Sequence, residues 1–294
     1  MRSPIARHMK RIFATFSVAV LGITLGSCSS ERPVGGPTGP AAAVKTTRNT
    51  DYVTPPVQGP VPRNPDARMS SNFPSTGNIS FSRVPSAGQY IAMTFDDGPH
   101  AQNTPRLLDM LRARNIKATF FVVGRNVDLY PGIARQIVAE GHEIANHSYT
   151  HRLLTKLSDD QVRQEFEKTR DAIVRATGIQ PRLMRPPYGA LLQRQREWVH
   201  ADYGYPTILW SVDPNDWQRP GSSVVCSRIL AQTSSGGIIL AHDIHAGTVD
   251  AMPATLDGLL RKGYKFVTVS QLLTMQSAGA PAQASAEPKP LPAP

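Results

Sequence analysis

The run Tyr90-Ile91-Ala92-Met93-Thr94-Phe95 passes without a break into Asp96-Asp97-Gly98-Pro99. Six nearly continuous apolar positions closed by a turn signal read as a short buried strand. Two adjacent carboxylates then stand at its end. Neighbouring side chains of an extended chain point to opposite faces, so Asp96 and Asp97 can serve two different roles. The same residues also suit a plain turn that feeds a helix, because Asp and Gly-Pro are common there.

Working outward, six further strand-like runs follow: Ala118–Val123, Glu143–Asn146, Leu183–Arg185, Thr207–Val212, Ile238–Ala241 and Phe266–Val269. Between them lie helical periods at Thr104–Arg114, Ile133–Glu140, Asp159–Thr177 and Ala254–Lys262. The third helix carries its own boundaries, with Ser158 as N-cap, Gln161 at the capping-box position and Gly178 as the stop. Repeated strand-helix units predict an α/β fold with parallel strands, and about seven of them suit a closed or nearly closed (β/α) barrel. Chemistry in such barrels gathers at the C-terminal ends of strands.

The polar residues fall at those ends. His147-Ser-Tyr-Thr-His151 follows the third strand, and histidines at i and i+4 can face one ion if the piece is a helical turn. Two ordinary satisfied histidines would have the same spacing. Arg185-Pro-Pro-Tyr-Gly189, Trp210-Ser-Val-Asp-Pro-Asn-Asp-Trp217 and Leu240-Ala-His-Asp-Ile-His245 end the next three strands.

Composition narrows the function classes. With 294 residues, 40% of them hydrophobic, the chain can build a substantial core. The two cysteines, Cys28 and Cys226, are too few for a disulfide framework or a thiolate cluster, so a metal must use His, Asp or Glu. Cys226 reads as a small buried apolar residue on a helix. The net charge of +10 is concentrated before residue 86, which leaves about +3 for residues 86–276 and removes the main support for nucleic-acid binding.

The organisation expected is fourfold. Residues 1–28 read as an export signal, with Arg2, Arg7, Lys10 and Arg11 ahead of an apolar run that is too short to span a membrane. Leu25-Gly26-Ser27-Cys28 resembles a bacterial lipobox, which makes Cys28 a lipidation candidate and the cell envelope the expected location, at the outer membrane if the cell has two. Residues 29–85 hold ten of the 26 prolines and read as a disordered tether, 86–276 as one folded domain, and 277–294 as an Ala/Pro-rich disordered tail.

Five motifs in order carry a family resemblance: Thr94-Phe-Asp-Asp-Gly-Pro99, His147-Ser-x-x-His151, Arg185-x-Pro-Tyr188, Asp213-x-x-Asp-Trp217 and Leu240-x-His242. Over about residues 86–276 the chain resembles the polysaccharide deacetylases of carbohydrate esterase family four, which include chitin and peptidoglycan deacetylases. That resemblance implies a distorted (β/α) barrel. It also implies that Asp97, His147 and His151 hold a divalent metal, most often Zn²⁺, with positions open for water and an acetamide oxygen. Asp96 becomes the general base, oriented by Arg185, the backbone N–H of Tyr188 an oxyanion donor, and His242 the acid that protonates the departing amine.

A carboxylate beside His242 would keep it protonated; Asp213 and Asp216 both lie in the right motif, and Asp216 is the preferred partner. Trp217 and Pro187 are substrate-contact candidates, although Trp217 could equally be a buried aromatic. His100 and His245 read as loop histidines without a catalytic role. The substrate implied is an N-acetylated glycan, and an inactive envelope glycan-binding protein or a hydrolase of a different small-molecule C–N bond are the other readings.

Overall fold

The computed structural model describes residues 78–86 and 88–276. The expected signal segment with Cys28, most of the tether and the tail lie outside the described residues. Among those described, no helix is long and apolar enough to cross a membrane.

Strands β1 (Ser80–Phe81), β2 (Tyr90–Asp96), β3 (Thr119–Val122), β4 (Glu143–Asn146), β5 (Thr207–Ile208), β6 (Ile238–Ile239) and β7 (Lys265–Phe266) alternate with helices. The helices are α1 (Asn103–Arg112), α2 (Gly124–Leu129), α3 (Pro131–Ala139), α4 (Asp159–Thr177), α5 (Gln193–Tyr203), α6 (Ser222–Gln232), α7 (Ala246–Arg261) and α8 (Val269–Thr274). All named strand pairs are parallel: β2 lies between β3 and β6 and also pairs β7, β3 pairs β4, and β1 pairs β5. Isolated parallel bridges Asn146↔Met184, Met184↔Thr207 and Val212↔Ile239 carry the pairing from β4 round to β6. The ring therefore closes, but through single bridges, which is the distortion in the expected barrel.

Side-chain parity on the ring explains where the site forms. On β2, Ile91, Met93 and Phe95 pack outward with Leu107, Leu108 and Leu111 of α1, whereas Ala92 joins Phe121, Ala145, Leu183, Ile208 and Ile238 in the interior. Asp96 on β2 and Arg185, His147 and His242, two to four residues beyond Leu183, Ala145 and Ile238, keep that interior parity at the C-terminal rim. A parallel ring covered by helices buries both strand faces, hence the nearly unbroken apolar runs.

Several expectations need correction. Residues 80–84 are not tether: β1 pairs β5, and Phe81 and Val84 are buried in the interior cluster. The alternation Ile79, Phe81 against Ser80, Ser82 supplies a half-buried strand inside a Ser/Pro-rich surrounding, and the Ile79 carbonyl already accepts from Thr207 N–H, so the domain includes at least the seven residues before position 86. The expected strand Leu183–Arg185 is reduced to bridges at Met184, with Pro186-Pro187 stopping further pairing. The last strand ends at Phe266 because Thr268 and Gln271 form a capping box that opens α8. Helix α7 starts eight residues before the expected Ala254; Gly247 and Pro253 are breakers in isolation, but burial of Val249, Met252, Leu256 and Leu259 holds it. Helix α4 spans Asp159–Thr177 with the Ser158–Gln161 box and left-handed Gly178 that the sequence signals.

Candidate active site

The interior rim is organised around Arg185, which has no exposed surface. Its Nη1 donates to Asp96 Oδ1 at 2.6 Å and Thr94 Oγ1 at 2.8 Å. Its Nε and Nη2 donate to the carbonyls of Ile208 at 3.2 Å and Leu209 at 3.0 Å. The guanidinium also stacks on Phe121, 4.1 Å from the ring centre. A charge this deep is tolerable only because its donors are directed at acceptors on several sides. The ion pair fixes one oxygen of Asp96 and leaves Oδ2, which lies 3.6 Å from His147 Nε2.

His147 Nδ1 lies 2.7 Å from the Arg185 carbonyl oxygen. A carbonyl only accepts, so Nδ1 carries a proton, and Nε2 is the nitrogen turned toward the carboxylates. That Nε2 is 3.4 Å from Asp97 Oδ1, and His151 Nε2 is 3.1 Å from the same oxygen. One ligand atom from each of the three residues lies within 4.8 Å of the others. Asp97 Oδ1 is buried without a hydrogen-bond partner, which is what a carboxylate meant for a cation requires. Burial pushes His151 down to about 4, against the pull of the Asp97 and Asp96 carboxylates, so its imidazole is neutral and ligand-competent near pH 7. The donor set fits a divalent metal.

The two histidines converge without a helical turn, contrary to the condition set on their i, i+4 spacing. Ser148 and His151 adopt left-handed backbone, at φ 63° and 58°. Ser148 N–H donates to Asn146 Oδ1, and His151 N–H to Ser148 Oγ. Glu165 of α4 reaches in to accept from the N–H of Tyr149 and of Thr150 and from the Thr150 hydroxyl, at 2.7–2.8 Å. Glu165 carries no motif of its own and is invisible to a reading of strand ends.

On the strand run next to Asp96, and bridged to it in parallel, His242 is 6% exposed, and its Nδ1 lies 2.8 Å from Asp216 Oδ1. Asp216 Oδ2 accepts from the His242 N–H and the Thr248 hydroxyl, both at 2.8 Å. Burial alone would lower the imidazole, but the Asp216 charge and hydrogen bond, with smaller help from Asp97 and Asp96, push it up to about 10. Burial likewise raises Asp216, and the His242 charge and the hydrogen bonds outweigh it to hold the carboxylate below its ordinary range. Asp213 is spent on a local turn, accepting from Asn215 N–H.

The remaining candidates separate. Tyr188 is left-handed at φ 61° and sets its ring edge-on to His151, 4.9 Å between centres. Pro187 is buried at the start of the same turn, so it shapes the Tyr188 backbone and offers little surface for the substrate contact expected of it. Trp217 is half-buried, with its Nε1 enclosed and unpartnered. His245 stacks obliquely near His242, 6.0 Å between rings. His100 is structural, since its Nδ1 accepts from the N–H groups of Gln102 and Asn103 at the start of α1. Cys226 is half-buried on α6 against the outer core.

Carboxylate, guanidinium and imidazole groups gathered at the C-terminal rim of a parallel-strand ring define an α/β domain with a buried Asp96–Arg185 pair and a buried His242–Asp216 pair beside a cluster that could hold a metal ion. Comparison with known proteins identifies the particular group. Residues 83–208 match the polysaccharide deacetylase family model. The chain is 41% identical over 197 residues to a peptidoglycan-N-acetylglucosamine deacetylase, PgdA, of Listeria monocytogenes, covering 66% of this chain and 41% of that one. It is 37% identical over 198 residues to a chitooligosaccharide deacetylase of Bradyrhizobium sp., covering 62% of this chain and 90% of the relative. The crystal structure of the Bc1960 peptidoglycan N-acetylglucosamine deacetylase superposes with a TM-score of 0.64 at 34% identity, over 67% of this chain and 93% of that one. The chain belongs to the polysaccharide deacetylase family. It spans less than half the length of the Listeria relative.

Proposed function

We propose that this protein is a metal-dependent hydrolase that removes acetyl groups from N-acetylglucosamine units of a glycan and releases acetate. The observation that carries the proposal is that two differently held groups, bridged neighbours on adjacent strands, stand beside one cluster. Asp96 is fixed by Arg185 with one oxygen free, and His242 is kept protonated by Asp216. A divalent metal held by Asp97, His147 and His151, with Zn²⁺ the best match to two imidazoles and a carboxylate, would supply Lewis-acid polarisation of the amide and a more acidic water.

The protein groups account for the proton movements. The free Asp96 Oδ2 accepts a proton from the attacking water as its oxygen bonds to the acetamide carbon. Arg185 keeps that carboxylate from rotating away. The Tyr188 N–H donates to the oxygen on which negative charge develops. His242 then gives its proton to the nitrogen as the C–N bond breaks, so that the amine leaves neutral and acetic acid remains, which ionises to acetate on release. The names of the Listeria and Bradyrhizobium relatives support an acetamide on a glucosamine-type glycan as the substrate.

Export and lipid attachment at Cys28 belong to the same proposal, supported by the basic-then-apolar segment and the Leu25–Cys28 tetrapeptide. Cys28→Ser should shift the protein out of the membrane fraction, and unchanged partitioning would remove the anchor. The activity is tested by incubating the purified protein with acetylated peptidoglycan, chitin oligosaccharides and poly-N-acetylglucosamine. Acetate release that stops with a chelator and returns with zinc is the expected result. No acetate from any of them with metal supplied would leave a glycan-binding protein or a different C–N bond.

A further inference from the structure

Asp97 stands one residue past the end of β2 parity. Continued as a strand, its side chain would turn toward the helices with Ile91, Met93 and Phe95; instead φ is 75°, a left-handed conformation that swings the carboxylate to the histidines. A non-glycine residue stays in that region only when its surroundings hold it there. Three backbone anchors do so: Asp97 N–H to the Phe121 carbonyl at 3.2 Å, Val123 N–H to the Gly98 carbonyl at 2.9 Å, and Asn126 Nδ2 to the Asp97 carbonyl at 2.7 Å. The fourth side of the turn is a buried carboxylate.

Asp243 follows His242 and therefore has the opposite parity, toward α1. It has no exposed surface. Its Oδ2 accepts from the Thr104 hydroxyl, and that hydroxyl accepts from the His100 N–H, so it ties the far end of the Asp97–His100 turn to α1. Both of its oxygens pack against the Gly98 Cα: a Cβ there would lie 2.5 Å from each. The turn has a glycine at this position because the carboxylate fills the space. Oδ1 has no hydrogen-bond partner, although an apolar residue like the outward-facing Ile239 and Ala241 before it would be buried at less cost.

We infer that Asp243 is a positioning residue that supports the Asp97-Gly98 turn from below and thereby sets the affinity of the Asp97, His147, His151 cluster for its metal. The inference rests on the reading of that cluster as the metal centre. The support is one of shape, through the Gly98 contact, and of hydrogen bonding, through Thr104.

The test measures zinc affinity by competition with a chelating indicator, together with the visible spectrum of the cobalt-loaded protein and thermal melts of the metal-free protein. Asp243→Ala should weaken zinc by about 10- to 100-fold, the range seen when support of a ligand is lost, and should alter the cobalt bands. Asp243→Asn, which keeps the shape and an acceptor for Thr104, should stay near the parent. Gly98→Ala alone should weaken zinc, but added to Asp243→Ala it should cost little more, because the oxygens it would strike are gone. Parent-like zinc affinity in Asp243→Ala overturns the inference, as does Asp243→Asn binding as weakly as Asp243→Ala, or losses that multiply in the double variant. A parent protein that takes up no metal overturns the centre itself and the support with it. If Asp243→Ala gives no cooperative melt, the Asp243→Asn and Gly98→Ala affinities decide.

Discussion

Asp216→Asn removes one charge from the centre without changing its outline. Asp216 Oδ2 accepts from the His242 backbone N–H, which cannot reverse, and from Thr248. The asparagine oxygen must therefore stay at that position, and its NH₂ group then faces His242 Nδ1. An NH₂ group can only donate, so Nδ1 must present a lone pair, and the doubly protonated imidazolium is excluded. With the carboxylate gone, burial dominates at the ring, and its pKa falls from about 10 to below the ordinary 6.5. At pH 8 the parent carries His242 about 99% protonated and the variant about 3% at most, a loss of at least about 30-fold in available acid. The difference shrinks toward pH 6. The assay is kcat/KM for acetate release from pH 5 to 10, which reports groups of the free enzyme. The alkaline limb should move from above neutral pH, where the Asp216 carboxylate holds it, to below about pH 6.5. Stability should follow the same sign: because the folded pKa of His242 is raised, the pair's contribution is complete below 6.5 and fades as the pH rises through about 10. An Asp216→Asn profile with the parent's alkaline limb would refute the account of how His242 is kept protonated.

Two further outcomes follow from the same geometry. Asp97→Ala, His147→Ala and His151→Ala should each lose both bound metal and activity while circular dichroism stays folded, and stoichiometric zinc in His147→Ala/His151→Ala, measured by elemental analysis, would contradict the ligand set. Glu165→Ala removes the acceptor of the Tyr149 and Thr150 N–H groups and of the Thr150 hydroxyl, so it should weaken zinc affinity by about tenfold with a smaller effect on the metal-free melting temperature.

The legible part of this protein is the part written locally. Helix α4 announces itself by Ser158, Gln161 and Gly178, and β2 by an apolar run ending in two carboxylates, so both lie where the residues say. The Asp97, His147 and His151 set was visible only through the family resemblance of the motifs at the strand ends, since the spacing of each motif alone also suited a turn or two ordinary histidines. What stayed hidden depends on distant partners. Glu165 looks like any acidic residue on a helix until the fold brings the Tyr149-Thr150 backbone against it. Asp243 reads as a neighbour of His242, and only the strand's parity sends it to the other side of the ring, under Gly98. β1 was masked by the composition around it, since Phe81 and Val84 gain their burial from β5 and β6, more than a hundred residues away. The capping box of Thr268 and Gln271 was present in the sequence and outweighs the β-branched run before it.

The central claim is a division of labour, with Asp96 activating water and His242 protonating the amine. The ratio of amide to activated-ester hydrolysis in Asp96→Asn and His242→Ala tests it, with bound metal measured in each. A nitrophenolate leaves without a proton and an amine anion does not, so only amide cleavage needs the acid. Asp96→Asn should keep its metal and lose about 10²- to 10⁴-fold on both substrates, leaving the ratio near the parent's. His242→Ala should keep its metal, lose a similar factor on the acetamide and much less on the nitrophenyl ester, so that the ratio collapses. Equal losses on the two substrates in His242→Ala would contradict the assignment of the acid.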